Sequence, residues 1–64
     1  MQSNPIVIKR YSGERLYDTR AARYVSLSDI AELVRAQRRV RICEAASGED
    51  ITASVLAKIV AGYH

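Results

Sequence analysis

A turn signal, Ser12-Gly13, lies between two stretches of strand character, and it restricts the fold of this chain more than any other feature. Before it, Ile6 to Tyr11 starts directly after Pro5 and is rich in β-branched residues, the composition of a strand. After it, Arg15 to Asp18 alternates, with Leu16 on one side and Arg15 and Tyr17 on the other. The two stretches predict a hairpin. Around its turn stand Lys9, Arg10, Tyr11, Arg15 and Tyr17, and Arg20, Arg23 and Tyr24 follow at once. Arginines and tyrosines on one surface suit gripping phosphates and packing on bases or sugars. The segment holds no nucleophile–base pair, so it is poorly suited to bond-making chemistry.

The remaining elements follow in order. Thr19 to Ala22 reads as a loop and Tyr24-Val25 as a short third strand. Ser26 caps a first helix, with Asp29 completing a capping box; Ser28 is an alternative cap. Leu27, Ile30, Ala31 and Val34 form one apolar helical stripe, and the helix fades near Gln37. Arg39 to Ala45 alternates around Val40 and Ile42 and predicts a strand with one buried face. Ser47-Gly48 is a turn. A second helix opens around Asp50 or Thr52, either of which can cap. The expected fold is α+β: a small antiparallel sheet packed against two helices, in the order β-β-β-α-β-α. Residues 1–5 read as a disordered lead and 6–64 as one domain.

A chain of 64 residues buries only about 60% of its unfolded surface. Small domains of this kind need a staple or a partner. Cys43 is the single cysteine, and with only the terminal His64 beside it there is neither a disulfide nor a zinc constellation. Oligomerisation is therefore the expected source of extra burial. Helix two, about 50–62, carries apolar residues on more than one side, and Val55, Leu56, Ile59, Val60 and Tyr63 are the expected homodimer interface. The lone cysteine fits a reducing cytoplasm, and Cys43 itself reads as a small buried hydrophobe. No apolar run approaches a membrane span. Met1-Gln-Ser-Asn-Pro5 has no charged n-region, so it is no signal peptide and no membrane partner is expected.

The net charge is +3, and all but Lys58 of the ten basic residues lie at or before Arg41. Uneven basic charge marks a polyanion-binding surface, although a solvated face is the plainer reading of so small an excess. An enzyme is not expected. No internal histidine can activate a serine, Glu49 and Asp50 adjoin rather than face each other, and no glycine loop cradles phosphate. No cofactor is expected either.

An ordered series of motifs runs from about Ile8 to Val60: Tyr11, then Arg15-Leu16-Tyr17-Asp18-Thr19, then Tyr24-Val25-Ser26-Leu27-Ser28-Asp29-Ile30-Ala31, and finally Gly48-Glu49-Asp50-Ile51-Thr52-Ala53-Ser54-Val55-Leu56. This series resembles the N-terminal DNA-binding domain of the polyhydroxyalkanoate synthesis repressors. The resemblance implies a bacterial transcriptional regulator that represses granule-protein genes. It also implies that polymer sensing rests with a C-terminal region that this sequence does not include. The family usually reads Tyr-x-Asn-Arg-Arg-Leu-Tyr-Asp-Thr, whereas here Gly13 and Glu14 stand where Asn and Arg are usual. Losing a cation and gaining an anion weakens phosphate attraction at that point. Conversely, Arg38, Arg39 and Arg41 make the segment after helix one more basic than the family pattern.

Double-stranded DNA is thus the expected partner. Lys9, Arg10, Tyr11, Arg15, Tyr17, Arg20, Arg23 and Tyr24 are the candidate contacts, and Arg38, Arg39 and Arg41 form a secondary basic cluster. Arg15 and Tyr17 share one side of their strand, with Tyr11 in reach, so Arg15 is expected to read a base edge while Arg20 and Arg23 on the following loop hold the backbone. Glu14 would reject misplaced phosphates. Asp18 is expected to hold its loop or an arginine instead of touching nucleic acid. The tyrosines have a second reading as half-buried strand residues. The competing functional class is a protein-interaction or oligomerisation module that binds no nucleic acid; RNA binding is a third.

Overall fold

The computed structural model describes residues 4–62. Four strands and two helices follow the expected order: β1 (Ile6–Tyr11), β2 (Arg15–Asp18), β3 (Arg23–Val25), α1 (Leu27–Arg35), β4 (Val40–Glu44) and α2 (Thr52–Gly62). Residues 1–3 of the expected lead lie outside the described residues, as do Tyr63 and His64; Asn4 and Pro5 are exposed and precede β1.

The hairpin is as its alternation predicts. Tyr11 faces Arg15 and Lys9 faces Tyr17 across an antiparallel ladder. The short turn between them, Ser12–Glu14, puts Gly13 (φ +75°) and Glu14 (φ +58°) in the left-handed region. That backbone explains one departure from the family pattern. Asn and Gly are the residues that enter the left-handed region most readily, so Gly13 in place of Asn keeps the turn.

The sheet is mixed, which corrects the expected antiparallel one. Its order is β3-β2-β1-β4, and β4 runs parallel to β1. The cause is α1. Parallel neighbours need a crossover connection, and α1 carries the chain from edge strand β3 across the sheet to the opposite edge. Ser26 starts α1 with the predicted capping box: its hydroxyl accepts from the Asp29 amide at 3.1 Å while the Asp29 carboxylate accepts from the Ser26 amide at 2.9 Å. The amide of Ser26 and its hydroxyl together hold Asp29 below the usual carboxylate range. A Schellman motif ends the helix. Gln37, at φ +61°, donates to the Val34 carbonyl and Arg38 donates to the Leu33 carbonyl.

The core lies between one face of the sheet and both helices. Ile6, Ile8, Leu16 and Ile42 point from the strands toward Ile30 of α1 and Val55 of α2. Val55 is 3% exposed. It belongs to this core and is not available to a partner, contrary to the expected interface. Thr52 also differs from its expected capping role. Its hydroxyl accepts from the Ile42 amide (2.8 Å) and donates to the Ile42 carbonyl (3.2 Å), which ties the start of α2 to edge strand β4. Asp50 supplies the turn instead, accepting the Thr52 amide at 2.9 Å. No helix among the described residues is long and apolar enough to cross a membrane.

Candidate nucleic-acid interface

Alternation sends every second strand residue to the side away from the helices. The pairings place Lys9 and Tyr11 of β1, Arg15 and Tyr17 of β2, Tyr24 of β3, and Arg41 and Cys43 of β4 on this open face. The face therefore gathers residues from three separate sequence segments, and none of these strand positions is a carboxylate.

Three tyrosine rings form a row across it. Tyr17 meets Tyr24 edge to face with centroids 5.2 Å apart, and Tyr11 meets Tyr17 in the same manner at 6.4 Å. Tyr17 is half-buried between the other two, whereas Tyr11 and Tyr24 are 42% and 52% exposed. The half-buried strand reading thus fits the middle ring, while the outer pair stays exposed. The Arg15 guanidinium lies over the Tyr24 ring at 5.1 Å, and its Nη2 donates to the Tyr24 hydroxyl at 3.5 Å. Such cation–π stacking limits where the fork can point. The sequence places Tyr11 and Tyr17 around Arg15; the structure makes Tyr24, from another strand, its ring partner.

The acidic residues sort the remaining cations. Arg10 falls on the helix side and pairs with Glu44, Nε to Oε1 at 2.8 Å. This hydrogen bond raises the Arg10 pKa and holds Glu44 below the usual range. Arg10 therefore enters no open face, unlike Lys9 beside it. Arg41 lies 3.6 Å from Asp50, whose carboxylate is lowered chiefly by the Thr52 amide. Glu14 lies 3.9 Å from Lys58 of α2, an exposed pairing. Asp18 is 7% exposed and holds the β2–β3 loop, accepting from the Arg20 amide at 2.8 Å and the Ala21 amide at 3.0 Å. Arg23 lies within β3, not on the loop, and pairs in register with Asp18 on the helix side. Its charge acts on Asp29 at the start of α1. Arg38 and Arg39 sit on the loop from α1 to β4, so the expected secondary cluster divides between that loop and the strand.

A second surface lies between the helices. Ala31 and Val34 of α1 and Leu56, Ile59 and Val60 of α2 line an open apolar groove. Leu56 and Ile59 pack partly on the core, while Val60 is 82% exposed.

A helix-free sheet face that is basic and aromatic, with Asp50 beside Arg41 at its β4 edge, has the character of a polyanion-binding surface. Comparisons with known proteins identify the family. The chain belongs to the PHB/PHA accumulation regulator DNA-binding domain family, whose match covers residues 7–63. That family is a DNA-binding class and not a class of enzymes. Over 54 residues the chain is 41% identical to an uncharacterized protein of Allochromatium vinosum, covering 84% of this chain and 35% of that protein. Over 54 residues it is 39% identical to the uncharacterized protein in the phbA 5′ region of Thiocystis violacea, covering 84% of this chain and 39% of that protein. The chain thus spans little more than a third of the length of these relatives. No solved structure matches it.

Proposed function

We propose that the domain grips double-stranded DNA with its open sheet face, as the DNA-binding part of a cytoplasmic bacterial repressor of polyhydroxyalkanoate storage genes. The observation that carries this reading is the row of tyrosines with Arg15 held over Tyr24, on a face where Lys9 and Arg15 have no carboxylate partner among the described residues. Lys9 supplies charge for the backbone, Arg15 reads a base edge, and Tyr11 and Tyr24 offer ring surface to sugars or bases. Selection from a random duplex pool, with binding measured at rising salt, tests it. A recovered motif and an affinity that falls steeply with salt are expected. Failure to bind any duplex at low salt overturns the reading in favour of the interaction module.

The reading includes a homodimer through the interhelical groove. Leu56, Ile59 and Val60 support it, with Val34 from α1 added by the fold. Val60→Asp is the cleanest probe, because Val60 is outside the core. Sedimentation should show a dimer that this change shifts to monomer; a wild-type monomer at high concentration removes the dimer.

A further inference from the structure

At one end of the sheet, the β2–β3 loop and the α1–β4 loop enclose an open cleft of about 500 Å³, lined by Asn4, Pro5, Val7, Thr19, Arg20 and Arg38. Its walls are more polar than apolar. We propose that this cleft binds a single phosphate between Arg20 and Arg38, and that on DNA this is a backbone phosphodiester; the second half rests on the DNA-binding reading above.

Three observations converge on it. The first is charge. The ion pairs take Arg10, Arg35, Arg41 and Lys58 with Glu44, Glu32, Asp50 and Glu14. The Arg20 and Arg38 side chains have no hydrogen-bond or ion-pair partner among the described residues. The nearby Asp18 is buried and committed to the loop amides. Two guanidinium forks at one cleft match the oxygens of a phosphate.

The second observation is anchoring. The Thr19 amide and hydroxyl both donate to the Val7 carbonyl, at 3.0 and 2.8 Å, while the Arg20 amide is held by Asp18. Arg38 is fixed by its Schellman bond to Leu33, and the Arg39 carbonyl accepts the Ile6 amide at 2.8 Å. Both loops turn through left-handed residues other than glycine, Ala22 at φ +57° and Gln37 at φ +61°. Such backbone persists only where its surroundings hold it, so both loops are fixed in place. The third observation is direction. Val7 has the same strand parity as Lys9 and Tyr11, so the cleft opens onto the face that carries the tyrosines.

The salt dependence of duplex binding distinguishes one shared phosphate from two. Arg20→Ala and Arg38→Ala should each weaken binding several-fold, equally on a selected site and on random duplex. Each neutralised phosphate contributes about 0.9 to the slope of log affinity against log salt. The double variant should therefore lower that slope by about one, not two. Lys58→Ala, at the other end of the sheet, should change nothing. A double-variant slope lower by about two overturns the shared phosphate. So does unchanged binding in both single variants while Arg15→Ala still weakens it, a result that leaves the DNA reading intact. Titration of the free protein with inorganic phosphate separates the two halves. The amides of Thr19, Arg20, Arg38 and Arg39 should shift in NMR spectra of the wild type and not of the double variant. Such shifts in a protein that binds no duplex keep the cleft and discard its use on DNA; their absence overturns the cleft.

Discussion

The two faces of the sheet are built from alternating residues of the same strands, yet they obey opposite rules. On the helix side, Ile8 and Ile42 are fully buried, Arg10 pairs with Glu44 and Asp18 holds its loop amides. On the open side, Lys9 and Arg15 meet no carboxylate, and Arg15 rests on a ring. A buried face must satisfy every polar group because desolvation is costly. A solvated face faces no such demand, so unneutralised cations there are free to answer a ligand. For the β1–β2 hairpin, strand parity thus separates the residues of the core from those exposed on the open face.

Adjacent residues test that division most strongly. Ile8→Ala should cost about 2–5 kcal/mol, as large-to-small core changes do, and a domain of this size has only a few kcal/mol in total. The cooperative thermal transition should be lost or fall steeply. Lys9→Ala should leave the melting curve nearly unchanged while weakening duplex binding at low salt. If Lys9→Ala unfolds the domain, the two faces are not separable.

Arg15→Lys probes the open face alone. Lysine retains the charge but loses both the fork and the planar stack on Tyr24. Affinity for a selected site should drop about tenfold, the scale of one lost bidentate pair, with random duplex nearly level. Equal losses on both would make Arg15 a phosphate contact and move base reading elsewhere.

Acid should act through the carboxylates that cap and pair within the fold. Asp29, Glu44 and Asp50 all have lowered pKa values. A carboxylate that is more acidic folded than unfolded contributes stability above its unfolded pKa, and loses it as the pH falls through the folded one. Resistance to urea should hold from neutral pH down to the ordinary glutamate value of 4.5. It should then decline through and below the ordinary aspartate value of 3.8. Glu44→Gln or Asp29→Asn should each flatten that decline. An unaltered acid slope in both variants would show that these contacts do not couple to folding.

The smallest expected effect lies at Gln37. Left-handed backbone costs a residue with a side chain roughly 1–2 kcal/mol, and glycine gives back about 0.5–1 kcal/mol through its greater unfolded freedom. Gln37→Gly should thus raise stability by roughly 0.5–1 kcal/mol, read as a higher urea midpoint. A lower midpoint would mean that the Gln37 side chain contributes contacts of its own.

Much of the fold is legible in local pattern. The β-branched run before the Ser12-Gly13 turn, the Ser26/Asp29 box and the Val40/Ile42 alternation each announce their element through backbone preferences acting within a few residues. The direction of β4 is not announced, because β4 pairs with a strand more than thirty residues earlier and its sense depends on where α1 deposits the chain. The candidate site divides in the same manner. Arg15 and Tyr17 on one side of a strand follow from a two-residue period. That Arg10 is neutralised depends on Glu44 in another strand. That Val55 is core, while Val60 is bare, depends on how α2 lies on β4.

The sequence by itself determines the kinds of element, their order, the basic excess before Arg41 and the family motifs. Each of these is set by neighbours along the chain or by simple counting. Only the tertiary structure decides which cations remain unpaired, that Tyr24 joins Tyr11 and Tyr17 in one row, and that Arg20 and Arg38 line a single cleft. Side-chain charges and rings act over a few ångströms of space, and the chain's path through the sheet sets which residues come within that distance.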